Sequence, residues 1–477
     1  MSVQSRKLFG RKRIFYDNVE VTRENVWEIV TKSLPIHNAN KSEIQYLYDV
    51  YKGKQEILQK VAPAFSDICN NITVNFANEI VTFKTGYLLG SPVQYVSRGE
   101  RTSELSDAVS AEINTLNRYS DNIDKAAKDI EIAEWFHICG TAYRFIRVSN
   151  PRNEKKSPFE IYTLDPRNAF VVYSNDVDNA PILGVYIVKL IDGTKIYNCW
   201  TWNRLFKIFT SASGEPLNIV EEVHYLGSIP IIEYPANNAR LGAFEIVLPM
   251  LDAINAAFSD LADGREQFIN ALLVIKGSNI EEEKFKSLRH LGGLLVPPDG
   301  DVKYLVSELN QEQNNMTINL MIDTMREIVG MPQRAGSQTS DSSNGVAIVL
   351  RNGWSDAESR AADTERIFKK SENELLDIAL RICNAKTGMQ LELASVEPHF
   401  TRKNTENLLA KTQAFTTMIG TGKVHPLLAW QLSGLVSDPE SAYMISEEYE
   451  QSQIEKEEQL LAESTVAHGH DTGGDAA

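Results

Sequence analysis

The sequence is poor in cysteine and has no long apolar run. Its four cysteines are scattered over 477 residues, and no two of them form a CxxC pair. This scatter indicates neither a zinc site nor a disulfide framework, and it favours synthesis in a reducing, intracellular compartment. Because no apolar run approaches the roughly 18 residues of a membrane span, we predict that the chain has no membrane partner.

The chain also lacks a recognisable catalytic motif, since neither GxSxG nor HExxH occurs. GTGK at 420–423 resembles part of a phosphate-binding loop. Its first glycine is absent, however, and Val424 stands where a serine or threonine is required. We interpret it as a turn that ends a helix. His137 and Cys139 lie two residues apart near a predicted helix end, where they do not share a face, which favours a structural role.

One acidic pattern partly matches a known type of metal site. Asp176 and Asp178 form DxD without the later glycine and glutamate of a calcium loop, which predicts a surface turn. We therefore predict that the protein is not an enzyme and has no catalytic residue, cofactor or metal. The alternative is a metal-dependent nucleic-acid-processing enzyme with an unrecognised site around Asp165, Asp176 and Asp178.

The balance of charge is acidic, with a formal net charge of −16. An acidic surface repels DNA, and tight DNA binders carry basic patches. A nucleic-acid partner would therefore be handled without being held, although solubility alone also explains such a charge. The N-terminal segment 1–13 is instead basic. We interpret it as a solvated, frayed arm rather than a nucleic-acid contact.

The first half of the chain mixes helical and strand patterns, which predicts an α+β fold that is mainly α. Asn40 is predicted to begin a helix and Gly53 to end it. Apolar residues at helical spacing predict further helices over 76–87, 105–116 and 123–133. Six short runs rich in β-branched and aromatic residues follow between 141 and 209, with turn signals between them. They predict an antiparallel sheet built on a helical base.

The middle of the chain, 242–386, is dominated by long helical patterns. A helix over about 244–266 would be roughly 34 Å long. The runs ALLVIKG, GLLVPP and VKYLV then predict three strands around a short charged helix at 281–290. A second helix follows over 311–329. Its predicted apolar side is Met321, Met325, Ile328 and Val329, and its other side is rich in amides: Gln311, Gln313, Asn314, Asn315 and Asn319.

The amide-rich side of this second helix has two interpretations, an aqueous channel lining or an ordinary solvent-facing stripe. A polar loop at 331–345 comes next, and loops of this length are commonly functional. A helix of nearly forty residues then begins near Val346, with Gly353 as its predicted bend. We expect a short β-like stretch at 389–400, helices over 404–459, and a disordered tail after about 455.

Several segments resemble portal proteins of tailed bacteriophages, most closely the siphophage type from Gram-positive hosts. The longest is NNITVNFANEIVTFKTGYLLGSPVQYV at 70–96. YLYDVYKGKQEIL at 46–58, IPIIEYPANN at 229–238, SSNGVAIVLRNG at 342–353 and PHFTRKNTENLL at 398–409 occur in the same order as in that family. No single segment is diagnostic, but their order and spacing over about 40–455 carry the resemblance.

The resemblance implies a portal-type fold with wing, stem, clip and crown, assembled as a ring around an axial channel. Such rings most often have twelve subunits. The implied regions are listed in chain order: wing 1–240, stem helix 241–270, clip 271–309, second stem helix 310–330, tunnel loop 331–345, long kinked wing helix and strands 346–400, crown 401–455, and a disordered acidic tail 456–477.

The implied function is a channel at a capsid vertex, through which double-stranded DNA is packaged by a separate terminase ATPase and later ejected. The implied partners are other copies of the chain, the terminase large subunit, a head-completion adaptor, and the major capsid and scaffolding proteins. The protein would be made in the bacterial cytoplasm and reside in the virion. Another minor capsid or adaptor protein remains an alternative.

Candidate site residues follow from these regions. The DNA-facing residues of the implied tunnel loop are Gln333, Arg334, Ser337, Gln338, Thr339, Ser340, Asp341, Ser342, Ser343 and Asn344. The implied channel lining of the stem is Gln311, Asn314, Asn315 and Asn319. The implied clip contacts to partner proteins are Lys276, Lys284, Lys286, Arg289 and Lys303, although solvated helix charges are the more common explanation of such residues. Arg334 has two interpretations, a weak DNA contact or a salt bridge between neighbouring loops.

Overall fold

A computed structural model describes residues 10–62, 68–98, 103–152, 155–269, 272–276, 301–305, 311–332, 353–401, 408–436 and 439–469. The helices in these segments are α1 (Val26–Tyr51), α2 (Phe76–Leu88), α3 (Ser103–Asn122), α4 (Lys125–Cys139), α5 (Leu248–Ile269), α6 (Gln311–Val329), α7 (Trp354–Thr387), α8 (Leu408–Gly420), α9 (Pro426–Ser433) and α10 (Pro439–Gly469).

The described strands form two larger sheets and two strand pairs. The strands are β1 (Ile14–Tyr16), β2 (Gln94–Ser97), β3 (Thr141–Val148), β4 (Phe159–Leu164), β5 (Ala169–Ser174), β6 (Pro181–Lys189), β7 (Lys195–Trp200), β8 (Arg204–Thr210), β9 (Pro216–Val223), β10 (Ile231–Pro235), β11 (Leu272–Lys276), β12 (Asp301–Leu305) and β13 (Val396–His399).

The six predicted β-rich runs all fold as strands, but they do not form one sheet. β1, β5, β6, β7, β8 and β9 lie in this order in a six-stranded sheet, and β10, β3 and β4 form a separate three-stranded sheet. All pairs among the six runs are antiparallel, as predicted, and only the prediction of one sheet was wrong. A parallel pair joins β1, which was not among the predicted runs, to β5. β3 is covered on both faces: Ala142 and Ile146 pack in a cluster with α4 and α7, and Tyr143 and Phe145 pack in a cluster with the six-stranded sheet. A doubly covered strand has no solvent face on which to alternate.

The first long helix starts well before its predicted start. α1 runs from Val26 through Pro35, and its buried residues keep helical spacing across that proline. Asn40 is therefore not a helix start. Its side-chain amide instead bonds both backbone groups of Lys12, at 3.0 and 2.8 Å, and so holds the arm that precedes β1. The predicted stop is close, since α1 ends at Tyr51 and Gly53 has a φ of +86°.

Helix α7 forms the centre of the largest apolar cluster. Phe368, Leu375, Leu376 and Ile382 are buried there against α3, α4 and the three-stranded sheet. Gly353 is not a bend inside this helix. It directly precedes Trp354, the first residue of α7, and has a φ of +79°. A residue with a left-handed backbone fits a helix boundary but not a helix interior. The predicted helical residues before it lie outside the described part of the chain.

The C-terminal region is helical, as predicted, but its last helix is longer than expected. α10 continues to Gly469, so residues 456–469 are helical where disorder was predicted. The segment is rich in glutamate, lysine, glutamine, leucine and alanine, which are good helix formers even where no apolar face is present. The residues after 469 lie outside the description.

Candidate channel module and its buried ionic base

Helices α5 and α6, both of which the sequence predicted, pack against each other as an antiparallel pair. The chain runs out along α5, turns through the β11–β12 pair and returns along α6. Val247 and Val329 lie in the same buried cluster at the base of the pair, with Ile254 and Met325 further along it. At 1.5 Å per residue, the two helices are about 33 and 28 Å long. The pair is therefore a strut that projects from an apolar base.

The packed face of α6 differs from the predicted one in two residues. Met325 and Val329 are buried and Met321 packs beside them, as predicted. Ile328 was assigned to the same face, but it is 39% exposed. Ile318 is only 5% exposed and takes its place. The prediction placed Ile328 next to Val329, although adjacent helical residues point about 100° apart.

The amide-rich residues of α6 do not share one face. Asn314, Asn315 and Asn319 are exposed, as a lining would require. With four-residue spacing, Gln311, Asn315 and Asn319 form a single row along the helix. Gln313 and Asn314 lie off that row. Whether the row lines a channel stays a prediction.

An extended segment, 68–75, follows α5 along its length. The backbone N–H groups of Val74, Ile72 and Asn70 donate to the side chains of Asn255 (2.8 Å), Ser259 (3.0 Å) and Asp263 (2.6 Å). These three acceptors are spaced four residues apart on α5. They satisfy the N–H groups of a segment that belongs to no sheet. The polar residues on this side of α5 therefore hold the strap 68–75 and do not face a channel.

The strand pair that follows α5 holds two of the residues assigned to partner contacts, Lys276 and Lys303. β11 and β12 pair antiparallel, with Lys276 opposite Asp301 and Lys303 opposite Val274. Two of the three predicted strands are thus present. The predicted strand GLLVPP, the charged helix and the candidates Lys284, Lys286 and Arg289 lie outside the described residues.

The two ends of the predicted tunnel loop meet at the base of the strut. A Cβ atom on Gly353 would lie 3.7 Å from the Cα of Pro332. Gly330 has a φ of +70°, and Arg360 of α7 donates to the carbonyl of Ile328 at 2.7 Å. The chain thus leaves α6 and enters α7 at one place. The candidates from Gln333 to Asn344 lie outside the described residues, and their roles stay predictions.

The N-terminal arm is buried at Gly10 and Arg11, which corrects the prediction of a solvated arm for these residues, whereas Lys12 and Arg13 are exposed. Arg11 is 4% exposed, and its guanidinium donates to Glu245 at 2.5 Å and to the carbonyl of Cys139 at 3.3 Å. Glu245 also accepts the backbone N–H of Gly242 at 2.8 Å. Because Glu245 lies in the short 3₁₀ turn before α5, Arg11 ties the arm to the start of the strut.

A second buried pair lies beside the first. Both guanidinium N–H groups of Arg240 donate to the carboxylate of Glu233, at 2.6 and 2.7 Å. Thr141 and Tyr173 also donate to this carboxylate. Burial alone would raise the pKa of Glu233, but Arg240 and these hydroxyl groups outweigh it and lower the pKa. Ser371 of α7 donates to the Glu233 carbonyl at 2.7 Å, which links the pair to the long helix.

The third centre lies on α7 itself. Glu372 is fully buried and accepts Lys125 at 2.8 Å, Tyr95 at 2.8 Å and Tyr234 at 2.8 Å. Arg144 lies 3.4 Å from its other oxygen. Burial would raise the pKa of Glu372, but Lys125 and Arg144 outweigh it and lower the pKa to about 2.

A second carboxylate neutralises this centre. Asp129 pairs with Lys125 and with Arg144, both at 2.7 Å. Two cations therefore meet two anions within one buried cluster, which is the condition under which buried charge is tolerated. The residues come from β2, α4, β3, β10 and α7. These elements are thereby fixed relative to one another.

The residues of the alternative enzyme site do not come together. Asp165 forms an ion pair with Arg167 at 2.6 Å, and Asp176 accepts Asn18 at 2.5 Å. Asp178 accepts Ser174 within its own turn. Across the described segments, no group of three or more histidine, cysteine or acidic residues could hold a metal ion. The described residues therefore give no support to the alternative of a metal-dependent enzyme site around these aspartates.

Two further interpretations from the sequence are confirmed. GTGK ends α8, with Thr421 and Gly422 bonded back to the last turn, so it is a helix-ending turn. His137 and Cys139 are both buried. His137 bonds Thr85 at 2.9 Å, and burial, with a smaller effect of Lys84, lowers its pKa to about 3.

Within the described segments, no helix combines the length and apolarity needed to cross a bilayer.

Comparison with solved structures finds chains of low similarity in gene transfer agent particles. One is titled "Neck of empty GTA particle computed with C6 symmetry", with 14% identity and a TM-score of 0.43 over 76% of this chain and 90% of that one. The other is titled "Virion of native gene transfer agent (GTA) particle", with 14% identity and a TM-score of 0.41 over 83% and 94%. No curated protein matches the sequence.

A family model gives the decisive match. The model "Phage portal protein, SPP1 Gp6-like" matches residues 31–460, which is most of the chain and includes both strut helices, α7 and most of the C-terminal helices. The family is structural rather than catalytic. The chain is a member of the SPP1 Gp6-like family of phage portal proteins.

Proposed function

We propose that this portal protein forms a ring, of about twelve subunits, whose axial channel carries double-stranded DNA into a capsid during packaging and out of it during ejection. The family match over residues 31–460 carries the proposal. The α5–α6 pair supports it, because a projecting strut of about 30 Å is suited to forming the wall of a channel. A terminase ATPase supplies the energy.

In this proposal the α5–α6 pair is the stem, β11 and β12 belong to the clip, and residues 331–345 form the tunnel loop. The exposed row of Asn315 and Asn319 supports a polar wall. A twelve-subunit ring would carry twelve times the formal charge of −16. Such a charge opposes tight binding of phosphates, so DNA slides past neutral amides.

The buried ionic centres give the proposed ring a firm base. Arg11 with Glu245 fixes the start of α5, and Arg360 fixes the end of α6 to α7. Glu372 fixes α7 to the strands and helices that we assign to the wing. Movement of DNA through the channel would therefore act on a body whose parts are tied together by buried ion pairs.

The proposed partners follow the same geometry. The clip, with Lys276 and Lys303 on its strands, would contact the terminase large subunit during packaging and a head-completion adaptor afterwards. The C-terminal helices α8 to α10 would form the crown inside the capsid, and the wing would contact the major capsid and scaffolding proteins. The mature location is the virion.

Single-particle electron microscopy of the purified chain tests the proposal. We expect closed rings of about twelve subunits with an axial hole. Monomers or dimers at all concentrations would contradict it. A shell-like lattice would instead favour a different capsid component.

A further inference from the structure

Two large apolar side chains stand exposed on α6. Met316 is 73% exposed and Leu320 is 65% exposed, and their four-residue spacing places them on one side of the helix. Ile328, at 39% exposure, lies about 120° around the helix from Met316 and so does not belong to this side. We define Met316 and Leu320 as the apolar ridge. Its residues are large and in a row, whereas scattered single apolar residues are normal on a protein surface.

The ridge points away from α5. Met325 packs in the cluster shared with α5, and nine residues at 100° each place it about 180° from Met316. The ridge therefore cannot be covered by the other helix of its own strut. The exposed amide row of Asn315 and Asn319 lies on another flank, so the ridge is also distinct from the proposed channel lining.

The opposite side of the strut carries small residues. Pro249 and Ala253 of α5 are exposed, and Ala256 is half-buried. Ala256 lies about 160° from Ile254, which packs in the cluster shared with α6. We define Pro249, Ala253 and Ala256 as the small flank. Ridge and flank therefore face in opposite directions across the α5–α6 pair.

We infer that the apolar ridge of each subunit packs against the small flank of the next subunit in the ring. This rests on the proposed function, because a closed ring needs two different and opposite surfaces on each subunit. The sizes are complementary, since a flank of proline and alanine admits the close approach of a helix bearing methionine and leucine. The occupant is a second copy of this chain.

The levels of the two surfaces also match. Val247 and Val329 lie together at the base of the strut. Ala256 is nine residues beyond Val247, and Leu320 is nine residues from Val329 in the opposite chain direction. At 1.5 Å per residue, both are about 14 Å from the base. Adjacent subunits of a ring share their level along the axis, so Leu320 of one copy meets Ala256 of the next.

Disulfide trapping tests this contact. Leu320→Cys and Ala256→Cys are combined in a Cys69→Ser background, because Cys69 is half-buried whereas the other three cysteines are buried. Mild oxidation of the assembled protein should give a covalent ladder on a non-reducing gel, up to the full ring. Each single variant should remain monomeric on the same gel. A cysteine pair at Met316 and Asp260, on the next turn outward, serves if the first pair does not assemble.

The outcomes separate the contact from the ring. Rings visible by electron microscopy without a covalent ladder would overturn the ridge-to-flank contact and leave the proposed function intact. Dimers formed by Leu320→Cys alone would overturn it as well, because they would mean a like-to-like contact. Absence of rings in the unmodified chain would instead contradict the proposed function.

A charge substitution gives an independent readout. Leu320→Lys should weaken ring assembly by about tenfold or more in subunit affinity, because a lysine would be placed in a packed apolar contact. The matched control is Leu217→Lys on the edge strand β9, where leucine is 70% exposed and lysine is tolerated. Equal assembly of the two variants would contradict the inference.

Discussion

Lys125 and Glu372 form an ion pair of 2.8 Å in which neither side chain has more than 4% of its surface exposed. The pair joins the first turn of α4 to the middle of α7. With Asp129 and Arg144 it forms a neutral cluster between separate elements of the fold. The stability of the folded chain should therefore depend on this cluster more than on any surface ion pair.

Glu372→Gln should destabilise the folded chain by about 3–5 kcal/mol, because it leaves Lys125 and Arg144 buried with only one carboxylate. Urea unfolding followed by tryptophan fluorescence measures the effect. Asp363→Asn on the same helix is the control, since Asp363 pairs with Arg366 while both are well exposed. The control should change stability by less than ~1 kcal/mol. Equal effects would contradict the role of the cluster.

Acid should destabilise the protein in two stages. His137 has a folded pKa of about 3, below its ordinary value of 6.5, so the unfolded chain takes up its proton first and stability falls as pH drops below about 6.5. Glu372 has a folded pKa of about 2, below 4.5. Its contribution is present above pH 4.5 and is lost as pH falls toward 2, by about 3 kcal/mol in all.

Variants assign the two stages. His137→Gln should reduce the loss of stability between pH 6.5 and 4.5, where the buried His37, with a pKa lowered to about 4, contributes the remainder. Glu372→Gln should reduce the loss below pH 4.5. Urea midpoints at closely spaced pH values provide the test. A His137→Gln curve that parallels the unmodified protein over the upper range would show that acid acts elsewhere.

Arg11→Ala should weaken the attachment of α5, because it leaves the Glu245 carboxylate buried without its guanidinium partner. We expect a loss of about 3–5 kcal/mol, or a ring that fails to form if the first turn of α5 is displaced. Lys12→Ala is the neighbouring control, since the Lys12 side chain is exposed. If Arg11→Ala left both stability and ring yield unchanged, the arm would have to be a solvated tail, which would contradict its attachment to α5.

Gly140→Ala should be far more damaging than Gly193→Ala. Both glycines have positive φ, of +83° and +87°. A Cβ atom on Gly140 would lie 1.9 Å from the carbonyl oxygen of Arg240, whereas one on Gly193 would meet nothing within 4 Å. Gly193→Ala should therefore cost only backbone strain of about 1–2 kcal/mol. Similar melting temperatures for both variants would contradict the close approach at Gly140.

The helices and strands were predicted more reliably from the sequence than the elements against which each of them packs. Both strut helices and six strands were evident, because each has a long or regular apolar pattern. The start of α1 was missed because Asn40 and Pro35 imitate a boundary, while the decisive contacts of Val26 and Ile29 are made with a distant sheet. The division into two sheets was missed for the same reason, since strand partners are set by contacts far apart in the chain.

The buried ion pairs were not predicted at all. Arg144 lies in the middle of the strand TAYRFIRV, and Glu372 lies among the apolar positions of α7. A charge inside an apolar pattern is a usable signal that a buried partner exists, but it does not identify that partner. Arg11 gave no such signal, because a cluster of basic residues near a chain end is typical of a solvated arm.

Deletion of residues 333–343 should spare ring assembly and impair DNA packaging. Ring assembly is expected to persist because the flanking residues Pro332 and Gly353 already lie side by side. Packaging should fail because the proposed DNA-facing residues are removed. Ring yield by microscopy and protected DNA in assembled particles are the two readouts. Normal packaging by the deletion variant would contradict the assignment of this loop to the channel.

The most direct test of the central claim is a cryo-electron microscopy map of the assembled protein at a resolution that separates helices. We expect a closed ring in which the α5–α6 pairs of all subunits together surround the axis, with Met316 and Leu320 between neighbouring pairs. A ring in which these pairs lie at the periphery, with other elements around the axis, would contradict the assignment of the pair as the channel wall.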